Sequence, residues 1–112
     1  MDIEKLRSFC LSLPGTTEGI KWEDHLCFMI AEKMYLITGM EDTSTVSIKV
    51  TSEDFEVLTE RDHITQAAYM AKKQWVSIQK RNALKPKEWE EYIRKSYELI
   101  KSKLPKKVQR EL

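Results

Sequence analysis

Two apolar runs of strand length, Leu26–Ile30 and Met34–Thr38, stand three residues apart and restrict the fold more than any other stretch. Leu26, Phe28 and Ile30 share one parity, and Cys27 and Met29 share the other. Side chains alternate across a strand, so this pattern implies central positions or cover on both faces. The spacing through Ala31-Glu32-Lys33 predicts a β-hairpin. It lacks the Asn-Gly or Asp-Gly that a tight primed turn prefers, which leaves the register open.

The flanking sequence supplies layers for such a hairpin. Residues 2–13 place Ile3, Leu6, Phe9, Cys10 and Leu13 at three- and four-residue steps, which predicts an amphipathic helix. Leu13-Pro14-Gly15 ends it, because proline disfavours the helical region in the residue before it. Residues 16–24 show no period and read as a loop anchored by Trp22. Thr45–Val50 alternates, with Val46, Ile48 and Val50 inward and Ser47 and Lys49 outward. Thr51 or Ser52 caps a short helix over by Arg61, and its early carboxylates Glu53, Asp54 and Glu56 suit the helix dipole. Ile64–Tyr69 admits a short strand or an irregular crossing, and Trp75–Gln79 reads as a strand. Pro86 suits a first helical position, and Trp89, Tyr92, Ile93, Ser96, Tyr97, Ile100 and Leu104 trace one stripe of a helix over 86–103. The order is α-β-β-β-α-β-α with room for one extra short strand. This is an α+β domain with N- and C-terminal helices packed on an antiparallel sheet.

At 112 residues the chain makes one domain, 1–112, with one hydrophobic core. No apolar run approaches the roughly 18 residues of a membrane span, and no basic region leads into a long apolar one at the N-terminus. Cys10 and Cys27 form no CxxC pair, and His25 and His63 complete no zinc spacing, so no metal or cofactor is expected. Buried free thiols in a reducing cytosol account for both cysteines. The net charge of +1 hides an asymmetry: residues 1–60 carry 5 Lys and Arg against 12 Asp and Glu, and residues 61–112 carry 14 against 6. A split of this kind steers a polyanion to one side only if the fold keeps the charges apart.

The stretch Tyr69-Met70-Ala71-Lys72-Lys73-Gln74-Trp75-Val76-Ser77-Ile78 carries the clearest functional signal. Parity places Val76 and Ile78 against a core and Trp75, Ser77 and Gln79 on the opposite face, beside Lys72, Lys73, Lys80 and Arg81. An aromatic ring among cations is a footprint for a nucleic-acid surface. The competing reading packs Trp75 under a helix or loop and leaves the lysines as solvated charge. Lys101, Lys103, Lys106, Lys107 and Arg110 crowd the end of the last helix, where cations also complement the carbonyl dipole.

Leu13-Pro14-Gly15-Thr16-Thr17-Glu18, the hairpin around Lys33-Met34-Tyr35, Tyr69–Val76, and Ser96–Ile100 with Lys103-Leu104-Pro105-Lys106-Lys107 together resemble the MmcQ/YjbR family over nearly the whole chain. The resemblance implies a small cytoplasmic bacterial protein of CyaY-like, hence frataxin-like, topology with a DNA-binding label. Lys72, Lys73, Trp75, Lys106 and Lys107 are the positions that match. Family members often carry glycine in the first hairpin turn, where this chain has Ala31-Glu32. A carboxylate there would repel phosphate.

The expectation is a non-enzymatic module that binds double-stranded DNA with little sequence specificity. Lys72, Lys73, Lys80, Arg81, Lys103, Lys106, Lys107 and Arg110 would contact phosphate, and Trp75 would stack or wedge. The alternative is an accessory domain that docks a protein through Tyr69 and Trp75. Catalysis has one candidate pair, His25 and Cys27, which strand parity places on one face. No phosphate loop, nucleophile elbow or metal-ligand spacing accompanies it.

Overall fold

The computed structural model describes residues 1–68 and 70–112. Helix α1 (Ile3–Ser12) is capped by Asp2, whose carboxylate accepts the Lys5 N–H at 2.8 Å. Gly15 turns the chain out of it with φ +78°, and a Cβ there would collide with the Leu112 side chain. Six strands follow the predicted sense of the sheet: β1 (Thr16–Lys21), β2 (His25–Ile30), β3 (Lys33–Thr38), β4 (Val46–Lys49), β5 (Ile64–Gln66) and β6 (Trp75–Ile78). Helix α2 (Ser52–Thr59) crosses from β4 to β5, and α3 (Pro86–Lys101) and α4 (Lys106–Arg110) close the chain after a 3-10 turn at Arg81–Ala83. The spatial order is β1-β2-β3-β4-β6-β5, with every neighbouring pair antiparallel.

Residues 16–24 are therefore not a loop: 16–21 form β1, paired with β2 from Thr16↔Ile30 to Lys21↔His25. Its sequence hides this because β1 is an edge strand with mostly exposed side chains, so burial imposes no alternation on it. Trp22, expected to anchor that segment, is 63% exposed. The expected extra strand is β5. A second departure is α4, which starts after Pro105 where the preceding helix was expected to leave only a tail.

The hairpin forms through Ala31 and Glu32, both at positive φ (49° and 66°), as a primed two-residue turn requires. Its ladder shifts between Phe28↔Leu36 and Met29↔Met34, which makes Tyr35 an extra residue on β3. The bulge buries Tyr35 and Leu36 together, both at 0% exposure, in the main core.

That core fills one face of the sheet. Leu6 and Cys10 of α1, Phe55 and Leu58 of α2, and Trp89, Ile93 and Tyr97 of α3 pack on Phe28, Leu36, Val46, Ile48, Val76 and Ile78. The caps agree with the sequence: Thr51 accepts the Asp54 N–H, and Pro86 opens α3. On the other face Cys27, Ile37 and Trp75 are also buried, outside that cluster. Just past β5, the Ala67 N–H donates to the Trp75 carbonyl at 3.1 Å. Among the described residues no helix is long and apolar enough to cross a membrane.

Candidate nucleic-acid interface

The register of the sheet decides which cations meet. Lys49 ends β4 opposite Trp75, so the turn before Trp75, with Lys72 and Lys73, stands at the Lys49 end of the sheet. The Val50 N–H donates to the Gln74 carbonyl at 2.8 Å, and the Lys49 Nζ donates to the Gln74 Oε1 at 3.3 Å. Lys103, just beyond α3, is the charge that acts on the Lys49 amine. Burial first, and then this second amine, push the Lys49 amine down to about 8. Lys106, Lys107 and Arg110 continue from Lys103 along α4, all exposed.

Lys72 and Lys73 are exposed on the turn. Lys73 has φ +61°, and its N–H donates to the Gln66 Oε1 at 2.8 Å, which fixes the backbone and frees the side chain. Among the described residues, Lys49, Lys72, Lys73, Lys103, Lys106, Lys107 and Arg110 take part in no ion pair. Elsewhere Glu18 pairs with Arg7, Glu88 with Arg61, and Asp54 and Glu91 with Lys95.

Three expected contributors are placed differently. Trp75 is 6% exposed and offers no stacking platform; parity put it on the face away from the helices, but that face is covered at this point. Lys80 and Arg81 follow β6 at its far end, a strand length away from Lys72 and Lys73. Arg81 is also engaged: its guanidinium donates to the carbonyls of Met1 (3.2 Å), Glu41 (3.1 Å) and Ser44 (3.4 Å). It ties the N-terminus to the loop after β3. Tyr69, the other half of the protein-docking patch, lies outside the described residues, and burial removes Trp75 from that patch.

Sequence reasoning missed Lys49. Its alternation marked it as the solvent side of a strand, and only the β4–β6 pairing brings it to Gln74 and Lys103.

The His25–Cys27 pair does not assemble as a base and a thiol. His25 Nδ1 bonds the Asp24 carboxylate at 2.7 Å, and the ring meets Trp22 edge-on with centroids 6.0 Å apart. Cys27 is fully buried, and burial pushes its thiol up, against thiolate formation. Cys10 is pushed up to about 12 for the same reason.

The YjbR family model matches residues 11–99, from the end of α1 to the last turns of α3. The chain belongs to the YjbR family. The matched span holds Lys49, Lys72 and Lys73; Lys103 and α4 lie beyond it. Two solved structures share the YjbR chain's fold. A Deinococcus radiodurans protein with the domain DUF419 is 28% identical and superposes with a TM-score of 0.88, covering 98% of this chain and 86% of its own. A Pseudomonas syringae protein is 22% identical with a TM-score of 0.74, covering 88% of this chain and 98% of its own, a likeness of fold alone. A search of curated proteins returns no significant match.

Proposed function

We propose that this protein is a non-catalytic module that binds double-stranded DNA, with little sequence specificity, through the end of the sheet where Lys49, Lys72, Lys73 and Lys103 meet. The observation that carries the reading is the run of cations at one end of the sheet: Lys49 ends β4 opposite Trp75, Lys72 and Lys73 stand exposed on the turn before Trp75, and among the described residues none of the three is in an ion pair. Bringing like charges together costs free energy that a bound phosphate would return. Lys106, Lys107 and Arg110 extend the cationic track along α4. Such contacts read phosphate rather than base edges. We also read the two-layer arrangement, with α1 and α3 on one face of an antiparallel sheet, as CyaY-like.

Anisotropy of a labelled duplex titrated with the protein at two salt concentrations tests the reading. Affinity should fall with salt, with a slope of about −0.9 per phosphate neutralised. Lys72→Glu/Lys73→Glu and Lys103→Glu should each abolish binding at low salt, and Lys80→Glu should leave it nearly intact. A duplex that does not bind at tens of micromolar protein in low salt overturns the reading.

A further inference from the structure

We infer that the sheet face away from the helices carries a second site, unrelated to the cationic end, that takes a small organic cation with an apolar body. A cavity of about 500 Å³ opens there, lined by Trp22, His25, Ile37, Ser47, Ala68 and Met70 among others. Its volume lies in the range of small-molecule sites, and its wall is of the usual kind, apolar and aromatic with a few hydroxyls. Strands β2, β3 and β4 form the floor, so the site is built on rigid elements.

Trp22 is the feature that folding does not explain. It is 63% exposed and, among the described residues, belongs to no core cluster; its ring meets His25 edge-on. Yet its backbone sits at φ +52°, a left-handed conformation that bulky side chains rarely adopt. The next residue, Glu23, has φ +70°, so asparagine or glycine would serve this turn better. A strained, exposed tryptophan at the mouth of a cavity is retained for what it covers.

The charge of the ligand follows from the uncharged wall and from Trp22. Among the described residues, none that lines the cavity is a lysine, an arginine or a carboxylate. Glu23 and Asp24 stand in the turn that presents Trp22, and Glu41 stands in the loop between the lining residues Gly39 and Thr45, all three exposed. Lys21, paired with His25 across the ladder, Arg81, whose guanidinium bonds the Glu41 and Ser44 carbonyls, and Lys72, two residues after Met70, offset these charges. The preference for a cation therefore rests on the exposed indole, whose face attracts a cation that also has apolar surface to bury.

Benzyltrimethylammonium, benzoate and benzyl alcohol are the probes, added to uniformly 15N-labelled protein while the Trp22 indole and the Ile37 and Ser47 amide signals are followed. The ammonium should shift these signals saturably and bind about tenfold more tightly than benzoate, with benzyl alcohol between them. Trp22→Asn should weaken ammonium binding about tenfold while leaving the thermal midpoint unchanged or higher, because asparagine accepts the left-handed turn. An excess of duplex DNA should not compete. The proposal is overturned by the absence of a saturable shift, by equal affinity for benzoate, or by a folded Trp22→Asn protein that binds as wild type does.

Discussion

The hydroxyl of Ser96, buried in α3, donates to the carbonyl of Tyr35 at 2.6 Å and accepts the N–H of Lys49 at 2.9 Å. The β3–β4 pairing covers only Leu36↔Ile48 to Thr38↔Val46, so both backbone groups stand just past its end, where the Tyr35 bulge has dislocated the ladder. One serine oxygen closes that gap from the helix side. It also fixes the backbone from which the Lys49 amine reaches Gln74 and Lys103.

Ser96→Ala should therefore destabilise the protein by about 1–3 kcal/mol, the cost of leaving a buried carbonyl and a part-buried N–H without partners. Urea unfolding should show a lower midpoint with an unchanged slope, since the surface exposed on unfolding stays the same.

A second device sets behaviour in acid. Glu88 accepts two bonds from the Arg61 guanidinium, at 2.7 and 3.1 Å, and the Lys85 N–H at 3.0 Å. The Arg61 side chain first, and then the Lys85 N–H, hold its carboxyl down at about 2. The folded value lies below the unfolded one, so the contribution is complete above about pH 4.5 and disappears as pH falls towards 2. Arg61 is 37% exposed, so solvent screening reduces the gain to roughly 1–2 kcal/mol. Glu88→Gln should cost that much at pH 7 and nothing at pH 2, as read from urea midpoints across the range.

Arg81 and its neighbour Lys80 should separate cleanly. Arg81→Met removes three bonds to backbone carbonyls that join the N-terminus to the 41–44 loop, for a loss of about 1–3 kcal/mol. Part of this is recovered, because the Arg81 Nε is buried without a partner and burial lowers the guanidinium pKa. Lys80→Met should change stability by no more than about 0.5 kcal/mol. Neither should alter duplex affinity much while the protein is folded, because both residues stand at the far end of β6.

Much of this architecture is legible along single elements. Periodicity reports one-sided burial, so α1, α3 and β4 appear at nearly their observed limits, and Thr51 and Pro86 mark helix starts by local hydrogen-bond chemistry. What is not legible depends on neighbours. β1 is an edge strand without an apolar face, so nothing in Thr16–Lys21 announces it. Parity assigns Trp75 to a face but does not say what covers that face. The meeting of Lys49 with Lys103 needs the β4–β6 register and the end of α3 together. The sign split between chain halves likewise says little, because strand direction, not chain order, sends Lys49 and Lys103 to one end.

The hairpin turn joins stability to the proposed binding. Ala31 and Glu32 both sit at positive φ, where a side chain costs about 1 kcal/mol or more per residue relative to glycine. Ala31→Asn/Glu32→Gly should stabilise the protein by about 1 kcal/mol, since Asn-Gly is the pair that a primed turn favours. Lys33↔Ile30 and Leu36↔Ile48 place this turn at the same end of the sheet as Lys49, so Glu32 sets a carboxylate beside the cationic end. Removing it should raise duplex affinity about threefold at low salt and leave it unchanged at high salt, where the charge is screened. Glu32→Gln separates the two effects, because it removes the charge and keeps the strained side chain. It should reproduce the affinity gain without the gain in midpoint, and a stability gain alone from the double variant would place the turn outside the bound surface.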